Sequence, residues 1–237
     1  RTTQTAWIAG SRNSNFEVSS ASQQIKDSGA EIIFLTSPNN PTGTTTSRNE
    51  IERIATEYPN KLVVVDEAYA EFLRTPSESA IKSVGNFKNV IVIRTMSKAF
   101  GLAGARVGYL VAHPKIVQAL MLVRLPYHLG AHTQEIAKAC LENSEELLLN
   151  IEVLKQQRER IISELTKLGL APFPSDANFV LFGGLDDARA AWNFLLNRGV
   201  LIRDVGLDGM LRVTAGTPEE TTIFLEAIAD YLKEGQQ

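Results

Sequence analysis

At 237 residues, 44% hydrophobic and with 16 Gly and 9 Pro, the chain has the make-up of an ordinary globular protein with a sizeable core. A formal net charge of −3 gives no basic footprint for nucleic acid, and no apolar run approaches the roughly 18 residues that a membrane span needs. The single cysteine, Cys140, excludes an internal disulfide and suits a reducing compartment such as the cytoplasm.

The opening Arg1-Thr2-Thr3-Gln4-Thr5 reads as neither a signal peptide nor a natural start, so the chain is expected to be a piece of something longer. Residues 31–35 (Glu-Ile-Ile-Phe-Leu) are the first buried strand, running into a loop dense in turn formers, Thr36 to Gly43. Ser47-Arg48-Asn49-Glu50 has the form of a capping box and opens a helix to about Tyr58. Strands follow at 62–65, ending on Asp66, at 90–93, and from Arg106 to Val111. Apolar strands alternating with helix argue for a parallel sheet covered on both faces, an α/β architecture.

After Pro114 the pattern turns helical, at about 114–124, 132–142 and 144–168. In the last of these Leu147, Leu148, Ile151, Leu154, Ile161, Leu165 and Leu168 share a stripe, and Gly169 closes it. A strand at 178–182, a helix at about 186–198, strands at 200–205 and 210–214, and a final helix capped by Thr217-Pro218-Glu219-Glu220 complete the chain. This divides it into part of a large α/β domain over 1–130, and an interdomain helix with a small α+β domain over 131–237. Cys140, Trp192 and Phe194 read as packing residues, and no His or Cys pair has the spacing of a metal site.

The loops after the strands carry the chemistry. Arg94-Thr95-Met96-Ser97-Lys98-Ala99-Phe100-Gly101-Leu102 leaves a strand and at once presents Ser and Lys, at the sheet edge where open α/β folds bind ligands. In apolar company such a lysine loses its proton more readily and attacks carbonyls. Asn40, Asp66 with Tyr69, Ser97-Lys98 and Arg106 are expected at the carboxyl ends of consecutive strands, hence on one rim. Together they suit an aromatic phosphate cofactor carrying an aldehyde. Lys98 would form the imine, Asp66, buried and ionised, would hold a proton on a ring nitrogen, and Asn40 and Tyr69 would bond a ring oxygen. Ser97 and Arg106 would hold the phosphate. Singly, each has a plain structural reading: a turn for Asn39-Asn40-Pro41-Thr42-Gly43, a helix cap for Asp66, a surface ion pair for Arg106.

These residues resemble the fold-type I pyridoxal-phosphate aminotransferases, most closely the branch acting on histidinol phosphate. The match is carried by Ser37-Pro38-Asn39-Asn40-Pro41-Thr42-Gly43, Val65-Asp66-Glu67-Ala68-Tyr69, Arg94 to Phe100, and Arg106-Val107-Gly108-Tyr109. Ser175-Asp176-Ala177-Asn178-Phe179-Val180 and Leu211-Arg212-Val213-Thr214-Ala215-Gly216-Thr217 extend it. The resemblance implies pyridoxal 5'-phosphate as cofactor, with Lys98 as Schiff-base lysine and proton shuttle, Asp66 on the pyridine nitrogen, Asn40 and Tyr69 on the ring oxygen, and Ser97 and Arg106 on the phosphate. It implies a homodimer, a phosphorylated amine and a 2-oxo acid as substrates, and a place in histidine biosynthesis. It leaves open an aromatic amino-acid aminotransferase, an amino-acid-phosphate decarboxylase, or an inactive fragment. The family's N-terminal third has no counterpart here, so the chain alone is expected to turn over little substrate.

The C-terminal hairpin adds a separate argument. A four-residue loop, Gly206-Leu207-Asp208-Gly209, sets Arg203 opposite Arg212, a repulsive pair that makes sense with an anion between them. A dianionic phosphate fits best; the alternative is that each arginine has its own carboxylate or that they point apart. In most relatives the residue matching Arg212 clamps a carboxylate, which histidinol phosphate lacks, so its phosphate would take that place. Asn178 is a further candidate for the substrate side, and His128 a weaker one.

Overall fold

A computed structural model describes residues 21–235; the opening segment 1–5 lies outside the described residues. The first sheet is built from β1 (Ile32–Thr36), β2 (Leu62–Asp66), β3 (Val90–Thr95) and β4 (Gly108–Ala112), in that order across the sheet. The helix α1 (Ala21–Ser28) precedes β1, and α2 (Arg48–Glu57) lies between β1 and β2 in sequence. β1, β2 and β3 are parallel, but β4 is antiparallel to β3. The sheet is thus mainly parallel, as expected, and the parallel run ends at β4 because residues 96–107 form a loop and a short 3₁₀ turn, with no helix to carry the chain across the sheet. Gly108 is required at the return, since a Cβ would lie 2.5 Å from the Arg94 carbonyl.

Ile33, Leu35, Val63, Val65, Val90 and Val92 pack against Ile51, Ile54 and Ala55 of α2. Each large apolar side chain so buried is worth roughly 1.5–3 kcal/mol. The expectation of cover on both faces holds for β2, whose Val63, Val64 and Val65 are all buried. It does not hold at the edge strand, where Ile32 and Phe34 are 49% and 58% exposed. The α2 cap is half a capping box. Ser47 accepts from the Glu50 amide, while the Glu50 carboxylate turns forward to Arg53 at 2.6 Å.

The second half holds α3 (Pro114–Val123), α4 (Ala131–Glu142), α5 (Ser144–Lys167), β5 (Ala171–Pro172), β6 (Phe179–Gly183), α6 (Ala188–Asn197), β7 (Arg203–Asp204), β8 (Leu211–Thr214) and α7 (Pro218–Glu234). Its sheet is antiparallel, ordered β5-β6-β8-β7. Val180, Phe182, Leu211 and Val213 pack against Ile161 and Leu165 of α5, Leu195 of α6, and Phe224 and Ile228 of α7. Trp192 joins this core and bonds the Ile202 carbonyl at 2.9 Å. Gly169, at φ 81°, ends α5 as expected, and Thr217 with Glu220 makes the full reciprocal box on α7.

Three expectations shift. The strand at 200–205 shrinks to Arg203–Asp204, because Val200 bonds back to Leu195 to close α6 and Asp204 turns its carboxylate to the Gly206 amide. Cys140 is half-buried rather than core, on a helix with no buried residue. The α5 stripe is buried at Ile151, Ile161 and Leu165, but Leu147 and Leu168 are exposed and Arg158 is buried in their stead. A third cluster of Tyr69, Phe72, Ile151, Ala177 and Phe179 joins the two sheets.

Candidate active site

The loop after β1 folds on itself. The Ser37 amide bonds the Asp66 carbonyl at 3.0 Å, the Asn39 amide bonds the Thr44 carbonyl at 2.8 Å, and Asn39 Nδ2 donates to Thr42 at 2.9 Å, which leaves Asn40 exposed at the tip. At the end of β2, Asp66 is half-buried rather than buried. Its Oδ1 accepts the Ala68 amide at 3.0 Å, an Asx turn rather than the helix cap the sequence allowed, since the 3₁₀ turn that follows starts at Ala70 with Tyr69 in the cap position. Tyr69, one turn on, is buried against Phe179, ring centroids 5.2 Å apart and edge to face.

Lys98 is exposed, not enclosed by apolar side chains as expected. Its Nζ stands 5.5 Å from the Tyr69 ring centre, and among the described residues no carboxylate pairs with it. The Thr95 hydroxyl, not anticipated, donates to Ser97 Oγ at 2.9 Å and accepts the Ser97 amide at 3.1 Å. The Met96 amide reaches the Val107 carbonyl and the Leu102 amide the Met96 carbonyl, closing the loop on itself. Arg106 therefore arrives on the same rim, though from the amino end of antiparallel β4 rather than from a strand's carboxyl end. It stands in the left-handed region at φ 51°, ψ 46°, with its guanidinium on the Ala103 carbonyl at 3.3 Å.

The other wall comes from the second sheet. Arg203 and Arg212 are direct cross-strand partners, the register the hairpin spacing predicts. The Arg212 guanidinium lies 4.7 Å from the Phe179 ring and donates to Asn40 Oδ1, so this contact spans both sheets. Its Nε is buried with no hydrogen-bond partner, and neither arginine pairs with a carboxylate among the described residues. Burial holds Arg212 below the usual guanidinium range, and the Arg203 charge adds to this against an opposing pull from Tyr69. Asn178 is fixed by its carbonyl, which accepts the Ala215 amide at 2.9 Å; its side chain makes no hydrogen bond among the described residues. His128 stays with Arg124, 3.3 Å away.

Behind the rim, buried Glu67 accepts from Ser79 at 2.9 Å and from Arg94 at 2.8 Å, tying the ends of β2 and β3 together. Sequence reasoning missed this pair, whose only signal is two charges beside the site residues at strand ends.

A sequence model of the family described as aminotransferase class I and II matches residues 8–228, and the chain belongs to that family. It is 50% identical to a histidinol-phosphate aminotransferase of Paenarthrobacter aurescens over 95% of this chain, and spans 62% of that relative's length. Among solved structures, a putative histidinol-phosphate aminotransferase from Erwinia carotovora atroseptica superposes with a TM-score of 0.85 at 28% identity, covering 94% of this chain and 67% of that one. The Sinorhizobium meliloti histidinol-phosphate aminotransferase, solved in complex with pyridoxal-5'-phosphate, gives 0.82 at 27% identity over 96% of this chain and 64% of its own. The architecture is that of the fold-type I enzymes, with a mixed sheet flanked by helices.

Proposed function

We propose that this chain is the cofactor- and substrate-holding part of a pyridoxal-phosphate-dependent transaminase. It interconverts histidinol phosphate and imidazole acetol phosphate, with 2-oxoglutarate and glutamate as the other pair, in histidine biosynthesis. The observation that carries the substrate is Arg212, a half-buried guanidinium with a buried, orphaned Nε, directly opposite Arg203 and without a carboxylate partner among the described residues. Two facing cations repel unless an anion sits between them, and a phosphate offers the most charge in the least space. The similarity to the Paenarthrobacter relative supports the same substrate.

The donor set fits the cofactor. A primary amine, a carboxylate, an amide, a phenol, a hydroxyl and a guanidinium share one rim, and the Tyr69 hydroxyl and the Asn40 amide nitrogen have no partner among the described residues. When bound, pyridoxal phosphate supplies an electron sink for the bond broken at the substrate's amine-bearing carbon. Asp66 holds a proton on the ring nitrogen, and Asn40 and Tyr69 orient the ring by its oxygen. Ser97 and Arg106 hold the cofactor phosphate. Lys98 Nζ would hold the cofactor at its aldehyde end and would serve to move a proton at the substrate carbon. Arg212, assisted by Arg203 and with Asn178 alongside, holds the substrate phosphate. The separate packing of the two sheets supports a division into a large domain over residues 1–130 and a small one with its interdomain helix over 131–237. The whole protein is a cytoplasmic homodimer without nucleic-acid or membrane partners.

The test is a visible absorption spectrum with pyridoxal phosphate, on wild type and Lys98→Ala, in the chain restored to the length of its relatives. A long-wavelength band in wild type, absent from the variant and fixed by borohydride onto the peptide bearing Lys98, is expected. Identical spectra would end the assignment. Amino transfer to 2-oxoglutarate, assayed against carbon dioxide release with phosphorylated and aromatic donors, separates the proposed substrate from a decarboxylase or an aromatic transaminase.

A further inference from the structure

Arg158 is 1% exposed, the largest fully buried side chain among the described residues, and no step above uses it. From α5 its guanidinium donates to two backbone carbonyls on different segments: Phe72 at 2.8 Å, three residues beyond Tyr69, and Ala177 at 3.1 Å, two residues before Phe179. Glu159 takes the remaining charge at 2.8 Å. The same Glu159 grips Arg74 at 2.9 Å, and the Arg74 amide donates to Asp176 at 3.1 Å. Asp176 in turn reaches the Asn40 loop, accepting from Thr45 at 2.9 Å while its own amide bonds the Gly43 carbonyl at 2.8 Å. One buried cation thus joins the Tyr69 turn to the Phe179 segment directly, and through Glu159, Arg74 and Asp176 the link extends to the loop that carries Asn40.

We propose that Arg158 is a positioning residue for the transaminase site, holding the Tyr69 turn against the Ala177–Phe179 segment so that Tyr69 keeps its place across Phe179 from Arg212. This rests on the cofactor reading above. A buried guanidinium tolerates burial only with its donors satisfied: here one terminal nitrogen donates to both carbonyls while Nε and the other terminal nitrogen hold Glu159, a spread of donors that a single ammonium nitrogen does not match. Phe179 and Arg212 are also held by the β6–β8 ladder, whereas the Tyr69 turn is a short 3₁₀ segment with fewer ties. Losing Arg158 should therefore move the ring-oxygen donor and leave the phosphate clamp standing.

The experiment compares wild type, Arg158→Met, Arg158→Lys and Lys98→Ala in the chain restored to the length of its relatives. Hydrogen exchange is followed over 70–73, 175–179 and 62–66, with visible circular dichroism of added pyridoxal phosphate and steady-state kinetics with histidinol phosphate. Arg158→Met is expected to expose 70–73 and 175–179 together while 62–66 stays protected. It should lose visible ellipticity per bound cofactor and drop kcat about 10–100-fold, with KM within about threefold of wild type. Arg158→Lys should fall between the two. Wild-type ellipticity and kcat in Arg158→Met overturn the proposal, as does a loss confined to KM. If Arg158→Met does not fold, Arg158→Lys decides alone on the same readouts. A wild-type protein with no visible band, matching Lys98→Ala, overturns the cofactor reading and the catalytic sense of the proposal with it; the exchange data then still report separately whether Arg158 couples the segments.

Discussion

Arg106 adopts a backbone conformation that costs a non-glycine residue about 1–2 kcal/mol, and it does so at the mouth of the candidate site, with one weak side-chain tie among the described residues. Strain kept at such a position points to a task for the side chain that glycine could not perform. Arg106→Gly is accordingly expected to raise stability by up to about 1 kcal/mol in urea unfolding and yet to weaken pyridoxal phosphate binding at least about 10-fold, read by absorbance titration. A variant that loses on both counts would assign the conformation to folding alone. The side-chain identities at 40, 66, 69, 97, 98 and 106 were legible in the sequence because each belongs to a short run with an unusual composition. The exposure of Lys98 and the hydrogen bond that turns Asp66 inward were not, since both depend on what stands opposite in space.

Among elements, the β7–β8 hairpin shows how far spacing alone can reach. The connection between Asp204 and Leu211, longer than the four residues expected, keeps the register, and the register sets Arg203 against Arg212. What spacing could not show is that Arg212 crosses to Asn40 and stacks on Phe179, because those partners are remote in the chain. The repulsion gives a direct test: inorganic phosphate should raise the melting temperature of the wild-type chain, and Arg212→Met should abolish most of that rise. In substrate kinetics the same variant should raise KM for histidinol phosphate about 10–100-fold, the worth of a charge-assisted hydrogen bond. Equal phosphate stabilisation of both proteins would place the anion elsewhere. The direction of β4 was misread for a related reason. Strand propensity says where a strand lies but nothing of which way it runs, and only the lack of a crossover helix in 96–107 settles that.

For the whole molecule, the question is how two sheets with separate cores come to share one site. The joint runs through the cluster around Tyr69 and Phe179, the Arg158 hub with its Glu159, Arg74 and Asp176 ties, the Arg212–Asn40 bond, and the contact of Gly43 with Ser175. Gly43 has φ +77°, and a Cβ there would fall 2.6 Å from the Ser175 Cβ and closer still to its hydroxyl, so no side chain fits while the halves stay docked. Gly43→Ala is expected to destabilise the chain by about 2–4 kcal/mol, from the backbone term plus overpacking, with the loss seen as a lower urea midpoint. A neutral result would mean the two halves part more easily than their contacts imply. The reversal of the first sheet at β4 carries one last consequence. Since Met96 and Val107 are bonded across the base of the excursion, the amine at 98 and the guanidinium at 106 are the two tips of a caliper whose span depends on the length of 99–105. Lengthening β3 and β4 in step would carry both tips outward unchanged, while a single residue added within 99–105 would reset the gap between them.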